Sequence, residues 1–151
     1  MSGKGKPGGF SSVELFVLTS VFGLLLLVAI PSYRDKQTNA RAGELAEDLR
    51  SYGCALWDYH ATTGSWPADS QPGAIPEGMG DRLAGFSEPS PIGGQWDWEG
   101  PKACCSASIC IDGVECSIRV IQRLDEIMDD GNLSMGLMRY EARRLIMVLD
   151  R

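Results

Sequence analysis

Residues 9–31 read GFSSVELFVLTSVFGLLLLVAIP. From Phe10 to Ile30 every position is apolar, glycine or a small hydroxyl residue, with one exception, Glu14. As a helix this segment would extend roughly 30 Å at 1.5 Å per residue, the depth of a bilayer's hydrocarbon core. Pro31 then interrupts the pattern. A carboxylate inside such a run is costly unless something pairs with it, so any account of the segment has to explain Glu14 as well as the length.

A secretory signal peptide explains neither well. Its cleavage site needs two small residues in the right spacing, and Ala29 is preceded by Leu27 and Val28. A plain single-pass anchor explains the length but not Gly8-Gly9-Phe10 or Glu14. Upstream, Lys4 and Lys6 favour a cytoplasmic start by the positive-inside rule, although Arg34, Lys36 and Arg41 follow the span and blur the contrast. Pro7-Gly8-Gly9 offers an extended, unhindered backbone of the kind a protease can grip.

The string Gly9-Phe10-Ser11-Ser12-Val13-Glu14-Leu15, behind a short basic leader and ahead of about twenty apolar residues, resembles the prepilin peptidase recognition site of type IV pilins and type II secretion pseudopilins. The resemblance implies cleavage between Gly9 and Phe10 on the cytoplasmic side and N-methylation of the new Phe10 amine. It implies that Glu14 meets the Phe10 amine of an adjacent subunit and sets register. Pro31 falls where many pilins carry a helix-kinking proline. The implied partners are prepilin peptidase, other pilin or pseudopilin subunits and an inner-membrane assembly platform. The implied location is the inner membrane, single-pass, with a periplasmic head, and then the filament.

Working outward, Ser32–Ala61 is rich in helix formers. Ala42, Leu45, Leu49, Tyr52, Leu56 and Tyr59 recur at spacings of three and four and form one apolar stripe. Arg41, Glu44, Glu47, Asp48, Arg50 and Asp58 occupy the other side. Thr62-Thr63-Gly64 marks the stop. Glycines and prolines crowd residues 64–93, an irregular connection with one helical turn near Asp81–Ala84, and Trp57 and Trp66 are expected to pack beneath it. Gly64-Ser65-Trp66-Pro67 and Pro91-Ile92-Gly93-Gly94-Gln95-Trp96 resemble pseudopilin loop motifs.

Gln95–Glu99 alternates as a strand, Ala103–Ile111 reads as a second, and Val114–Met128 as a helix capped by Asp112, its face being Val114, Ile118, Ile121, Leu124 and Met128. Leu133–Tyr140 and Arg144–Leu149 make a final hairpin. The expected fold is α+β and pilin-like: a long N-terminal helix, membrane-spanning in its first half, packed on a small C-terminal antiparallel sheet with one additional helix. The expected segments are a leader at 1–9, a transmembrane or filament-core helix at 10–31, its soluble continuation at 32–63 and a globular head at 64–151.

Asp125, Asp129, Asp130 and Asn132 place four oxygen donors around one turn, the donor class that hard cations take. They form a candidate calcium site, although the spacing is not that of an EF-hand, and no other cofactor is expected. Cys54, Cys104, Cys105, Cys110 and Cys116 lack the paired spacing of a zinc module. Disulfides suit an exported head better, with an odd thiol left over and pairings open. In a strand, Cys105 would share a face with Ala107, Ile109 and Ile111, toward the helix bearing Cys54, while Cys104 and Cys110 face away. His60 is the only histidine, and no phosphate loop or nucleophile elbow occurs, so the chain reads as a non-enzyme. A net charge of -6 without clustered Lys and Arg argues against nucleic acid. The chain is therefore expected to be a structural subunit of a type IV pilus or a type II secretion pseudopilus. The alternative is a monomeric membrane-anchored periplasmic binding domain with an uncleaved leader.

Overall fold

A computed structural model describes residues 9–101 and 107–150. Lys4, Lys6, Pro7, Gly8, Cys104 and Cys105 lie outside them. The first element is helix α1, Ser12–Thr63, and it ends where the sequence says it should. Gly64 takes φ 76° and its N–H donates to the His60 carbonyl at 2.8 Å, a left-handed stop that only glycine adopts freely. Pro31 sits inside α1 and does not end it; it removes one ladder donor and the helix tolerates the loss. The chain divides into two compact units at Gln37/Thr38. In the first, α1 is exposed throughout. It is long and apolar enough to cross a membrane, with none of its most apolar stretch buried.

In the second unit the stripe is covered. Ala42, Leu45, Ala46, Leu49, Tyr52, Gly53 and Leu56 are buried, and Tyr59 closes the row half-buried. The cover is a four-stranded antiparallel sheet, β1 (Gln95–Glu99), β2 (Ala107–Asp112), β3 (Met138–Glu141) and β4 (Arg144–Asp150), in the order β1-β2-β4-β3. Strand alternation assigns the faces. Trp96, Trp98, Ile109, Ile111, Leu145, Met147 and Met138 join the core with the α1 stripe. Tyr52 meets Phe86 and Trp96 edge-on at 5.4 and 5.0 Å.

The connection between α1 and β1 contributes to that core. Met79, Leu83 and Phe86 are fully buried, presented by successive turns in which Leu83 N–H bonds Met79 O and Phe86 N–H bonds Leu83 O. The expected helical turn is thus a set of tight turns, and its 79/83/86 spacing is that of one helix face. Trp66 is buried, stacked on His60 at 4.4 Å, and its indole N–H donates to Asp150 at 3.4 Å. Trp57 stays 46% exposed, an edge-on neighbour of Trp66 rather than a side chain beneath the loop.

Helix α2 is shorter than expected, Ile118–Met128, with Ser117 as its cap. Asp112 ends β2 instead of capping a helix. The reason lies in the backbone: Gly113 turns at φ 80°, Val114 N–H bonds Arg143 O and Glu115 N–H bonds Ile92 O, so residues 114–115 serve other segments. The buried face of α2 is Val120, Ile121, Leu124 and Asp125, while Ile118 is exposed. The last hairpin starts later than the apolar run suggests, because 133–137 is spent on turns before Met138 pairs with Met147. Cys54, Cys110 and Cys116 are free thiols, Cys54 exposed and Cys110 buried. Burial raises the Cys110 thiol to about 12, so it is an inert packing group.

Candidate functional site

The residues singled out by sequence fall in two places. Gly9 and Phe10 precede α1, and Glu14 lies in its first turn. Ser11 Oγ accepts from Val13 N–H at 3.4 Å, Glu14 Oε2 accepts from Ser11 N–H at 2.8 Å, and Leu15 N–H opens the ladder on Ser11 O at 3.0 Å. This is a capping box, each side chain satisfying a donor the helix start would leave open. Sequence reasoning gave Glu14 an intermolecular partner and missed the local one, although Ser11-x-x-Glu14 is its written signature.

Between that box and Pro31 the two side-chain hydroxyls bond the helix's own carbonyls. Thr19 donates its hydroxyl to Leu15 O and Phe16 O, and Ser20 donates to Phe16 O at 2.8 Å. Phe10, Leu15, Leu18 and Phe22 line a shallow apolar groove beside Thr19. Glu14 is the single charge on this surface, and it is exposed.

The second place is the end of α2. Asp125 is fully buried, and the Gly131 backbone N–H faces its carboxylate. Asp129, the C-cap, donates its N–H to Asp125 O at 2.6 Å. Its Oδ2 accepts from the N–H groups of Leu137 and Met138. Asp130 Oδ1 accepts from Asn132 N–H at 2.8 Å. One oxygen each from Asp125, Asp129 and Asp130 lies within 4.8 Å of the other two. Burial, then the charges of Asp129 and Asp130, push the Asp125 carboxyl above its ordinary value. Asn132 does not use its amide oxygen in the same way; Oδ1 accepts from Ser134 N–H at 3.2 Å.

One cluster went unread in the sequence. On the sheet face opposite the core, Arg144 pairs with Asp97 and Glu99 at 2.7 Å and with Asp112 at 2.8 Å. Burial raises the Asp97 carboxyl, and the Arg144 guanidinium opposes that shift. Arg144 lies 32 to 47 positions from its three acids and meets them only through strand register, so no local signal announces the cluster.

No family model matches the chain. Among curated proteins, it is 35% identical over 65 residues to the type IV major pilin PilE of Neisseria gonorrhoeae, covering 41% of this chain and 37% of that one. It is 28% identical over 67 residues to the fimbrial protein EcpC of Eikenella corrodens, covering 44% of each. The match thus spans less than half the length of these relatives. Among solved structures, the major type IV pilin PilA1 of Clostridium difficile superposes with a TM-score of 0.52 at 18% identity, over 77% of this chain and 98% of that one. The fold is that of a type IV pilin. Within the pilin fold the two sites separate cleanly, one at the start of α1 and one between α2 and β3.

Proposed function

We propose that this chain is a structural subunit, a pilin or pseudopilin, of a type IV pilus or type II secretion pseudopilus. The observation that carries the reading is the surface of α1 from Phe10 to Ile30: apolar, uncovered and broken by one carboxylate in its first turn. Burying such a surface yields roughly 25 cal/mol per Å² of apolar area, and a bundle of like helices supplies the cover. Prepilin peptidase would cut between Gly9 and Phe10 and so create an ammonium four residues before Glu14. In the bilayer, the chain waits in the inner membrane with its head in the periplasm. On transfer by an assembly platform, Glu14 exchanges its bond to Ser11 N–H for the methylated Phe10 amine of the next subunit. The Ser11 N–H bond has one charged partner and the ammonium–carboxylate pair has two, so in apolar surroundings the exchange favours the pair and register follows from it. The resemblance of the chain to type IV pilins supports this reading.

Two measurements test it. Mass spectrometry of the native protein should find Phe10 as the first residue; a retained Met1–Gly9 would instead support an uncleaved, monomeric membrane-anchored domain. Glu14→Gln keeps a capping acceptor and removes the charge, whereas Glu14→Ala removes both. If charge sets register, both variants lose filaments in a shear-and-pellet assay. Normal filaments from Glu14→Gln would reduce Glu14 to its capping role.

A further inference from the structure

We propose that Asn132 is a glycosylation acceptor, carrying an N-linked glycan on the turn that leads from α2 into β3. Such an acceptor must lie on the exported side of the membrane, and in that one respect it rests on the function proposed above.

Asn132-Leu133-Ser134 is an Asn-x-Ser tripeptide whose middle residue is not proline, the sequence an N-linking transferase reads. The chain has two asparagines, and the other, Asn39, is followed by Ala40 and Arg41. Such tripeptides also arise by chance, so the structure around this one decides.

The segment belongs to no helix or strand: α2 ends at Met128 and β3 begins at Met138. A transferase can therefore draw it into a groove without parting a ladder. Asn132 and Ser134 are exposed, while Leu133 between them is half-buried against the core and anchors the turn. Asn132 Oδ1 accepts from the Ser134 N–H at 3.2 Å. A backbone N–H can only donate, so the oxygen is the engaged end of the amide and Nδ2, the atom to be glycosylated, is the other end. Neither Asn132 Nδ2 nor Ser134 Oγ has a hydrogen-bond partner among the described residues. Exposed hydroxyls on α1 behave differently: Thr19, Ser20, Thr62 and Thr63 donate to carbonyls of their own helix. The two groups a transferase reads are thus the two left free.

The backbone holds this presentation in place. Asp130 Oδ1 accepts the Asn132 N–H at 2.8 Å, Asn132 O accepts the Met135 N–H at 3.1 Å, and Leu133 O accepts the Tyr140 N–H at 3.0 Å.

The co-substrate class is a glycan carried on a lipid diphosphate. Asn132 Nδ2 bonds to the anomeric carbon of the first sugar, and the bond from that carbon to the diphosphate oxygen breaks. The lipid diphosphate leaves with the electron pair, and one amide proton passes to a base of the transferase. No oxidant or reductant takes part. The product sets a hydrated polymer just ahead of Met135 and Leu137, which are 67% and 48% exposed. A glycan there shields two apolar side chains that the bare head shows to water.

The test is mass spectrometry of the protein purified from its own cells. Trypsin cuts after Arg123 and Arg139, and the peptide between them holds Asn132. That peptide should carry a mass excess that fragments to sugar ions, with the linkage on Asn132. Asn132→Gln and Ser134→Ala should each remove the excess, and Ser134→Thr should keep it, because threonine retains the hydroxyl. A bare peptide, an excess that survives Asn132→Gln, or one indifferent to Ser134→Ala would each overturn the assignment. The same digest reports the N-terminus. A bare Asn132 on a chain that starts at Phe10 overturns the acceptor and leaves the filament reading intact; a glycan on a chain that retains Met1–Gly9 does the reverse.

Discussion

Two stretches of one helix make the most instructive comparison. Leu15–Ile30 and Ala42–Leu56 both belong to α1, and both are rich in leucine. In the second, apolar residues recur on one face, and a sheet, a loop and a second helix from the same chain cover them. In the first they run all round the helix and are exposed among the described residues. A helix apolar on every side needs a medium, not a partner face. The same secondary structure thus meets two surroundings: a protein interior in the second unit, and in the first an exposed apolar surface long enough to cross a membrane.

The largest expected effect comes from making one substitution in both places. Leu49→Ala should destabilise the head by about 2–5 kcal/mol, the usual range for a fully buried leucine. Leu25→Ala should leave head stability unchanged within about 0.5 kcal/mol. Denaturant unfolding in micelles by tryptophan fluorescence separates the two, because Trp57, Trp66, Trp96 and Trp98 all report on the head. Equal losses at Leu25 and Leu49 would mean that the stem belongs to the head's cooperative unit, and the comparison would break.

Charges sharpen the contrast. The stem's carboxylate, Glu14, is exposed and holds one local hydrogen bond. The head's Asp97 is 7% exposed along its side chain and depends on Arg144. Arg144→Met should cost about 1–3 kcal/mol, because it strands the Asp97 charge while the 30% exposure of Arg144 already screens the cluster. Adding Asp97→Asn should recover part of that loss. Glu14→Ala should leave the same unfolding curve in place. A double variant no better than Arg144→Met alone would show that Glu99 and Asp112 carry the cluster instead.

Much of this was legible because it is local. The stem needed only composition, the α1 stop only Gly64, β1 only the Trp96/Trp98 alternation, and the head stripe only its spacing. The misses have long-range causes. The start of α2 moved from Val114 to Ile118 because Ile92 and Arg143 claim the backbone of 114–115. The insertion of β4 between β2 and β3, which brings Arg144 to its three acids, has no counterpart in neighbouring residues. At the acidic turn the sequence supplied the donors, but not that Asp125 is the buried one or that Asn132 turns away. The capping box is local too, since Ser11 and Glu14 stand three residues apart at the start of α1.

The smallest expected effect lies in the hairpin joining β3 to β4. Ala142 and Arg143 take φ 48° and 66°, the left-handed pair that a two-residue turn of matching twist requires. Neither is a residue that favours it, and the strain is of order 1 kcal/mol per residue. Arg143 is held there by contacts of its own: Nε donates to Val114 O at 3.1 Å, and its guanidinium lies 3.6 Å from Glu115. Ala142 has no such compensation among the described contacts and is exposed. Ala142→Asn should therefore stabilise the head by about 0.5–1 kcal/mol. Filament yield should not change, because the stem has no share in that turn. A denaturation midpoint that fails to rise would mean the sheet already over-determines the hairpin, so that local turn chemistry adds nothing to what strand pairing has fixed.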